Sequence, residues 1–245
     1  MVNLYLGGII ATASIVLLGI IIALPPLLQP IPATNVILSF SVVSDINMPD
    51  WCLEVSELLK EKNIDASFFI SGKLAEEYRD CVRSFDPVSV DIGSSTYNYT
   101  DLTSQVDYSQ LLGEVKKGKQ ALDDVGNIDS RSFRAPYGRT DDNIYSLLSR
   151  SGIFADFSYA DRYHKYDQTQ FIRFDADVYD ATTRSGFKTF LADRAESNKP
   201  ILVYFDNTVP LSEVKDIVQE LKVKKVTFVN ASTLTALDLT VTGGA

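Results

Sequence analysis

The chain has 245 residues, of which 45% are hydrophobic and 22% are charged, and its net charge at pH 7 is −9. This acidic balance argues against a nucleic-acid-binding role, because phosphate recognition needs clustered Lys and Arg side chains. With the apolar amino-terminal segment set aside, about 215 residues remain, which is enough for one sizeable core.

The amino-terminal segment predicts a membrane anchor. Leu4 to Leu24 contains no charged residue, and at about 1.5 Å per residue a helix of this length spans about 30 Å, the thickness of the hydrocarbon layer. A cleaved signal peptide would begin with basic residues and have a shorter apolar run, whereas the first basic residue here is Lys60. We therefore predict an uncleaved transmembrane anchor at residues 1–24, with a buried helix of a soluble core as the alternative.

Four prolines follow the predicted anchor, in the stretch from Pro25 to Pro32. Proline favours an extended and stiff backbone, so residues 25–35 are predicted to be a spacer between the membrane and the domain. The absence of basic residues beside the anchor leaves its orientation undetermined by charge. The acidic composition is compatible with a solvated extracytoplasmic domain, which is the location we predict.

The rest of the sequence alternates between apolar runs of strand length and segments with helical periodicity. Strands are predicted at residues 36–43, 66–70, 88–92, 153–157, 171–178, 201–205 and 226–229, and residues 132–133 lead into the turn that follows them. Helices are predicted at residues 50–62, 73–82, 108–125, 141–150, 186–195 and 211–221. Asp50 is expected to cap the first helix, and Gly152 is expected to end the fourth. This alternation predicts an α/β domain over residues 36–230 with parallel strands and crossover helices, followed by a tail at residues 231–245.

Three stretches in this domain carry a known pattern: Ala66-Ser-Phe-Phe-Ile-Ser-Gly72, residues 91–103, and Ser132-Phe-Arg-Ala-Pro-Tyr-Gly138. In their order and spacing they resemble the polysaccharide deacetylases, the NodB-homology domains of carbohydrate esterase family four. The resemblance runs from about Val36 to about Val229. It implies a distorted, incomplete (β/α) barrel, with the site residues at the carboxyl ends of the strands.

The resemblance also shows which functional groups are replaced. In the family, the first motif supplies a general base and a metal-binding Asp, the second supplies two metal-binding His residues, and a late strand supplies an acid His. The matching positions in this chain are, in that order, Ser41, Val42, Ser95, Tyr99 and Phe205. The third motif survives as Arg134, Pro136 and Tyr137. The family's intermediate Asp-rich motif is only loosely matched, with Asp161 as one candidate.

The histidine content points the same way. His164 is the only histidine in the chain, and it lies outside every motif. A zinc site of this type needs two imidazoles and a carboxylate, and a further group must protonate the leaving amine. We therefore expect no metal or other cofactor. A rebuilt all-oxygen cluster of Asp45, Asp91 and Asp101 would suit Ca²⁺ or Mg²⁺, but solvated or capping acids are the simpler interpretation.

Three functions are compatible with this pattern. The leading hypothesis is a membrane-anchored pseudoenzyme that acts as a structural or accessory subunit beside other membrane proteins. The second is a module that binds envelope glycan through Tyr97, Tyr99 and Tyr137, and the third is a hydrolase with a remodelled site. The leading hypothesis predicts that Val42, Phe205 and Tyr99 fill the former groove. It also predicts that Arg134 is kept for structure, with Asp91 or a strand-end carbonyl as its acceptor.

Cysteines and glycosylation sequons suggest two further features. Cys52 and Cys81 are the only cysteines, and the sequence leaves open whether they are buried apolar residues or a disulfide. Asn98-Tyr-Thr and Asn230-Ala-Ser match the glycosylation sequon. Asn98 is the more informative of the two candidates, since in the family its loop borders the active site.

Overall fold

The computed structural model describes residues 34–103, 107–139, 144–158, 172–173, 176–194, 199–230 and 233. All of them belong to the second of two compact units, residues 34–245. The predicted anchor, most of the spacer and tail, His164 and Asp161 lie outside this described part. Within it, no helix combines the length and apolar character needed to span a bilayer.

The domain alternates strands and helices. The strands are β1 (Asn35–Ser41), β2 (Ala66–Ile70), β3 (Val90–Ser94), β4 (Ser132–Phe133), β5 (Ala155–Asp156), β6 (Ile172–Arg173), β7 (Asp177–Asp180), β8 (Ile201–Asp206) and β9 (Thr227–Phe228). The helices are α1 (Met48–Lys62), α2 (Gly72–Glu77), α3 (Arg79–Ser84), α4 (Tyr108–Gly126), α5 (Ile144–Arg150), α6 (Phe187–Asp193) and α7 (Leu211–Val223). A 3-10 turn occupies Pro136–Gly138.

The strands form one parallel sheet that curls into an open half-barrel. Their order is β6-β5-β4-β3-β2-β1-β8-β7, and β9 pairs with the start of β1. Curling brings Phe69 of β2 within 5.2 Å, between ring centroids, of Phe157, which follows β5. β6 and β7 are neighbours in sequence but lie at opposite edges, so the sheet stays open between them. This confirms the predicted parallel α/β architecture.

The two faces of β1 serve different layers. Val36, Leu38 and Phe40 pack into the core between the sheet and the helices, where α1 contributes Cys52 and other apolar side chains. Ile37, on the opposite face, belongs to the cluster inside the half-barrel, with Phe69 and Tyr204. Because side chains alternate along a strand, every other residue of β1 faces the interior.

The predicted helix at residues 73–82 is wrong in one respect. The chain forms two short helices, α2 and α3, separated at Tyr78, whose φ and ψ of −118° and 59° are not helical. The helical hydrogen bonding of α2 therefore ends at Tyr78, where the backbone turns before α3. Ser71 begins α2, because its side chain accepts a hydrogen bond from the Leu74 N–H.

Three other predicted elements shift. The strand expected at residues 171–178 is two strands, β6 and β7, at opposite edges of the sheet. β3 starts at Val90 rather than at residue 88, because a turn at Asp86 takes the N–H groups of Ser89 and Val90. Asp50 does not cap α1: the helix begins at Met48, and Asp50 lies in the first turn, where its charge favours the helix dipole. Gly152 does follow α5 with a φ of 73°, as expected.

Candidate active-site remnant

The carboxyl ends of the central strands bring together the positions that the motif comparison singled out. Ser41 ends β1, and Ser95 follows β3 and donates its backbone N–H to the Ile70 carbonyl at 3.0 Å. Arg134 follows β4 and donates its backbone N–H to the Ser94 carbonyl at 3.0 Å. Parallel pairing places these strand ends at one edge of the sheet, where a barrel of this kind carries its site.

Arg134 is buried at this edge, with 3% of its surface exposed. Its guanidinium carbon lies 3.7 Å from the centroid of the Tyr204 ring, a close cation–π contact. Burial raises the pKa of the Tyr204 phenol, and the charge of Arg134 acts in the opposite direction. Arg134 and Tyr204 are thus a buried, contacting pair within the remnant.

Tyr99 lies near this pair, close enough for both side chains to affect its phenol. Its ring is 5.3 Å from the ring of Tyr137, between centroids, and both residues have a φ of 59°. Burial raises the pKa of the Tyr99 phenol well above its usual range, and the neighbouring Tyr204 adds to this effect. The charge of Arg134 and a hydrogen bond with the Tyr137 backbone act in the opposite direction without reversing the shift. Tyr99 is therefore a neutral phenol at physiological pH.

Val42 and Phe205 do not fill this remnant. Both are fully buried in the core between the sheet and the helices, and the Phe205 ring stacks on Phe40 with a centroid distance of 5.0 Å. The expectation that they line and close the groove is therefore wrong. Strand alternation is the reason: Tyr204, not Phe205, is on the interior face of β8.

The family assignment rests on a match that covers about half of the chain. A family model described as polysaccharide deacetylase matches residues 31–155. The chain belongs to the polysaccharide deacetylase family.

Curated relatives in this family match over shorter stretches. A chitooligosaccharide deacetylase of Azorhizobium caulinodans is 27% identical over 100 residues, covering 40% of this chain and 47% of its own length. A peptidoglycan-N-acetylglucosamine deacetylase of Bacillus cereus is 26% identical over 90 residues, covering 37% of this chain and 32% of its own length. The chain thus spans less than half of the length of these curated relatives.

Solved structures share the fold over most of the domain. A putative polysaccharide deacetylase from Mycobacterium smegmatis matches with a TM-score of 0.65 and 15% identity, over 85% of this chain and 91% of the other. A pseudoenzyme of carbohydrate esterase family four from Bacillus anthracis matches with a TM-score of 0.62 and 14% identity, over 84% of this chain and 66% of the other. At these identities the likeness shows the fold alone.

The residues present do not fit the metal that the deacetylase fold implies. Val42 has no donor atom and packs toward the helices, Ser95 offers a buried hydroxyl, and Tyr99 is a neutral phenol. Zinc prefers imidazole, thiolate and carboxylate ligands. Over the described ranges, no group of three or more His, Cys, Asp or Glu side chains is arranged to hold a metal ion.

The alternative oxygen cluster does not assemble either. Asp101 accepts hydrogen bonds from Thr103 and forms an ion pair with Arg139 at 3.0 Å. Asp91 lies toward the amino ends of the strands, where its charge adds to the effect of burial in raising the pKa of Asp65. The two carboxylates therefore serve different parts of the domain.

Sequence reasoning missed a buried acid that supports the Arg-Ala-Pro-Tyr-Gly turn after β4. Asp156 is buried, and one carboxylate oxygen accepts hydrogen bonds from the backbone N–H and hydroxyl of Ser158. The same Ser158 hydroxyl accepts the backbone N–H of Ala135 at 2.7 Å. These bonds attach β5 to the Arg-Ala-Pro-Tyr-Gly turn. An acid inside an otherwise apolar predicted strand is the signal that could have revealed it.

Asn207 is a second missed residue, and its position had no sequence signal. Its carbonyl oxygen accepts the Val43 N–H at 3.0 Å, and its amide donates to the carbonyls of Ser44 and Ile46 at 2.9 and 3.0 Å. These contacts tie the loop after β1 to the end of β8, across more than 160 residues of sequence.

Cys52 of α1 and Cys81 of α3 are joined by a disulfide, with their Cα atoms 5.2 Å apart. The two glycosylation candidates differ in accessibility. Asn98 is exposed, and its side-chain and backbone N–H groups donate to Glu114. Asn230 is buried. Its side-chain amide donates to the Ser89 carbonyl and accepts the backbone N–H of Thr233, so it is poorly accessible for glycosylation in the folded domain.

Proposed function

We propose that this chain is a membrane-anchored, extracytoplasmic member of the polysaccharide deacetylase family without deacetylase activity. In this proposal it acts as a structural or accessory subunit of a membrane complex. The observation that carries it is Tyr99, a half-buried tyrosine that packs against Tyr137 near Arg134, at a position where the family motif has a metal-binding His. Loss of metal-activated water and of acid–base groups removes most of the rate enhancement of a hydrolase.

The proposal has precedent within the fold. One solved neighbour is described as a pseudoenzyme of carbohydrate esterase family four, and a mutant of the same protein is described as having restored enzymatic activity. A scaffold of this family can thus lose its chemistry and keep its fold. In this chain, the apolar segment at residues 4–24 supports the membrane location.

The test measures acetate release and metal content together. The purified full chain is incubated with an N-acetylglucosamine oligomer and Zn²⁺ or Co²⁺. We expect no acetate release above the protein-free control and no metal bound to the protein at a stoichiometric level. A variant with Ser41→Asp, Val42→Asp, Ser95→His and Tyr99→His serves as the comparison for regained metal binding. Acetate release by the unmodified chain with one bound metal would refute the pseudoenzyme assignment.

The accessory role has its own experiment. Native purification from membranes, followed by mass spectrometry, is expected to recover other membrane proteins at constant stoichiometry with this chain. Recovery of the chain alone, under conditions that preserve other membrane complexes of the same cells, would contradict the subunit hypothesis.

Tyr137 favours glycan binding as a second candidate function. It is 64% exposed at the border of the remnant, with Arg139 near its ring, and an exposed aromatic ring can stack on a sugar. A glycan array with the full chain and with Tyr137→Ala distinguishes the two candidates. Binding that the substitution abolishes would favour the glycan-binding function over a purely structural one.

A further inference from the structure

The amino end of the half-barrel, opposite the active-site remnant, carries exposed valines among lysines. Val88, in the turn before β3, and Val223, at the end of α7, are 85% and 67% exposed. The lysines at this end are Lys60, Lys62, Lys222, Lys224 and Lys225. We name these two valines and five lysines the basal surface.

Backbone and side-chain contacts hold the parts of the basal surface at one end. The N–H of Thr227, just after the 222–225 segment, donates to the Thr34 carbonyl at 3.1 Å. The Lys222 ammonium donates to the Lys62 carbonyl at 3.1 Å. The turn that contains Val88 is attached to the start of β2, because the Ser89 carbonyl accepts the backbone N–H of Ala66.

Lysines and acids are equal in number at this end, although the whole protein is acidic. The acids beside the basal surface are Glu61, Asp65, Asp86, Asp91 and Glu220, of which Asp65 and Asp91 are half-buried. Glu61 pairs with Lys62 at 2.6 Å, and Glu220 pairs with Lys188 at 3.0 Å. Lys60, Lys222, Lys224 and Lys225 remain as exposed cations in a chain of net charge −9. Cations next to exposed aliphatic side chains suit a surface that offers anionic head groups above an apolar layer.

The chain also enters the domain at this end. Thr34 precedes β1 and lies beside β9, so the segment before residue 34 leaves from the basal surface. We propose that the basal surface binds an anionic lipid bilayer, with Val88 and Val223 at the level of the head groups and the lysines on lipid phosphates. This inference rests on the membrane location in the proposed function. It adds that the domain lies on the bilayer, with the active-site remnant facing away.

Single-cysteine probes test this docking in the full chain. Val88→Cys or Val223→Cys is labelled with an environment-sensitive fluorophore without reductant, because Cys52 and Cys81 are already bridged. Ile46→Cys is the matched control: Ile46 is 68% exposed and follows β1 at the opposite end. Each variant is placed in nanodiscs of phosphatidylcholine, with or without phosphatidylglycerol, and quenched by acrylamide, an uncharged aqueous quencher that anionic lipid does not repel.

We expect acrylamide quenching at residues 88 and 223 to fall by about threefold or more when phosphatidylglycerol is present, with no change at residue 46. Combining Val223→Cys with Lys222→Glu, Lys224→Glu and Lys225→Glu should restore quenching. The proposal would be overturned by equal quenching at residues 46, 88 and 223. It would also be overturned if quenching at residues 88 and 223 fell by the same amount with and without phosphatidylglycerol, or with and without the lysine substitutions.

Failure of the anchor is a separate result. If the full chain does not enter nanodiscs, the membrane location in the proposed function fails, and the same probes are then measured on phosphatidylglycerol vesicles. Charge-dependent shielding on vesicles would still support the basal surface as a lipid-binding face, and its absence would refute it.

Discussion

Arg134 is a charged side chain kept in the interior although position 41, where the family has its general base, is a serine. The hydroxyl of a serine cannot neutralise a guanidinium, so the domain stabilises this charge in other ways. One of them is the Tyr204 ring, 3.7 Å from the guanidinium carbon. Cation–π contacts gain strength when they are shielded from water, as here. The retained Arg therefore has a structural explanation that does not depend on catalysis.

We predict that Arg134→Ala lowers the free energy of unfolding by about 3–5 kcal/mol, the range for disrupting a buried charge and its partners. Arg139→Ala is the control: it is in the same loop and pairs with Asp101, but it is exposed and should cost about 1 kcal/mol or less. Urea unfolding followed by circular dichroism measures both. Equal effects of the two substitutions would show that burial of Arg134 contributes little.

At the scale of elements, one consequence of strand alternation is the position of Phe205. The motif comparison puts it at the place of a catalytic His, yet its ring stacks on Phe40 against the helices. We predict that Phe205→Ala costs about 3–5 kcal/mol through a core cavity and leaves any glycan binding at the remnant unchanged. Tyr137→Ala, at an exposed residue, should change stability by about 0.5 kcal/mol or less. A small loss of stability for Phe205→Ala, with altered ligand binding, would contradict this prediction.

The disulfide links α1 to α3 across 29 residues of sequence. A bridge of this length restricts the unfolded chain, and we predict that reduction lowers the free energy of unfolding by about 2–4 kcal/mol. The Cys52→Ala, Cys81→Ala double variant should have the stability of the reduced protein and should not respond to reductant. An identical urea midpoint with and without reductant for the unmodified chain would disprove a stabilising bridge.

At the scale of the whole molecule, the proposed membrane location depends on residues 4–24. We predict that the full chain stays in the membrane pellet after alkaline carbonate extraction. Leu17→Arg with Leu18→Arg should release it, because each Arg at the centre of a spanning helix costs about 2.5–3.5 kcal/mol. Leu27→Arg with Leu28→Arg, in the predicted spacer, is the control and should remain in the pellet. Release of the unmodified chain would refute the anchor.

The sequence by itself determined the family and the parallel α/β layout. Apolar runs such as residues 36–43 and 201–205 reveal strands because a strand covered on both faces has apolar residues at successive positions. Three motifs in order are enough to align the chain with the deacetylases. Gly152 follows α5 as expected, whereas Asp50 does not cap α1. These features are encoded by neighbouring residues, so they are visible without contacts between distant parts of the chain.

Only the tertiary structure decided which side chains meet at the remnant. A residue-by-residue alignment does not say which face of a strand a side chain uses, so Phe205 was assigned to the groove and Tyr204 was overlooked. The break at Tyr78 and the separation of β6 from β7 also depend on how the sheet curls. Likewise, Asp156, Ser158 and Asn207 act through hydrogen bonds to residues distant in sequence or in other elements. Such contacts arise only when the strands pair, because pairing brings together groups whose separation along the chain carries no local signal.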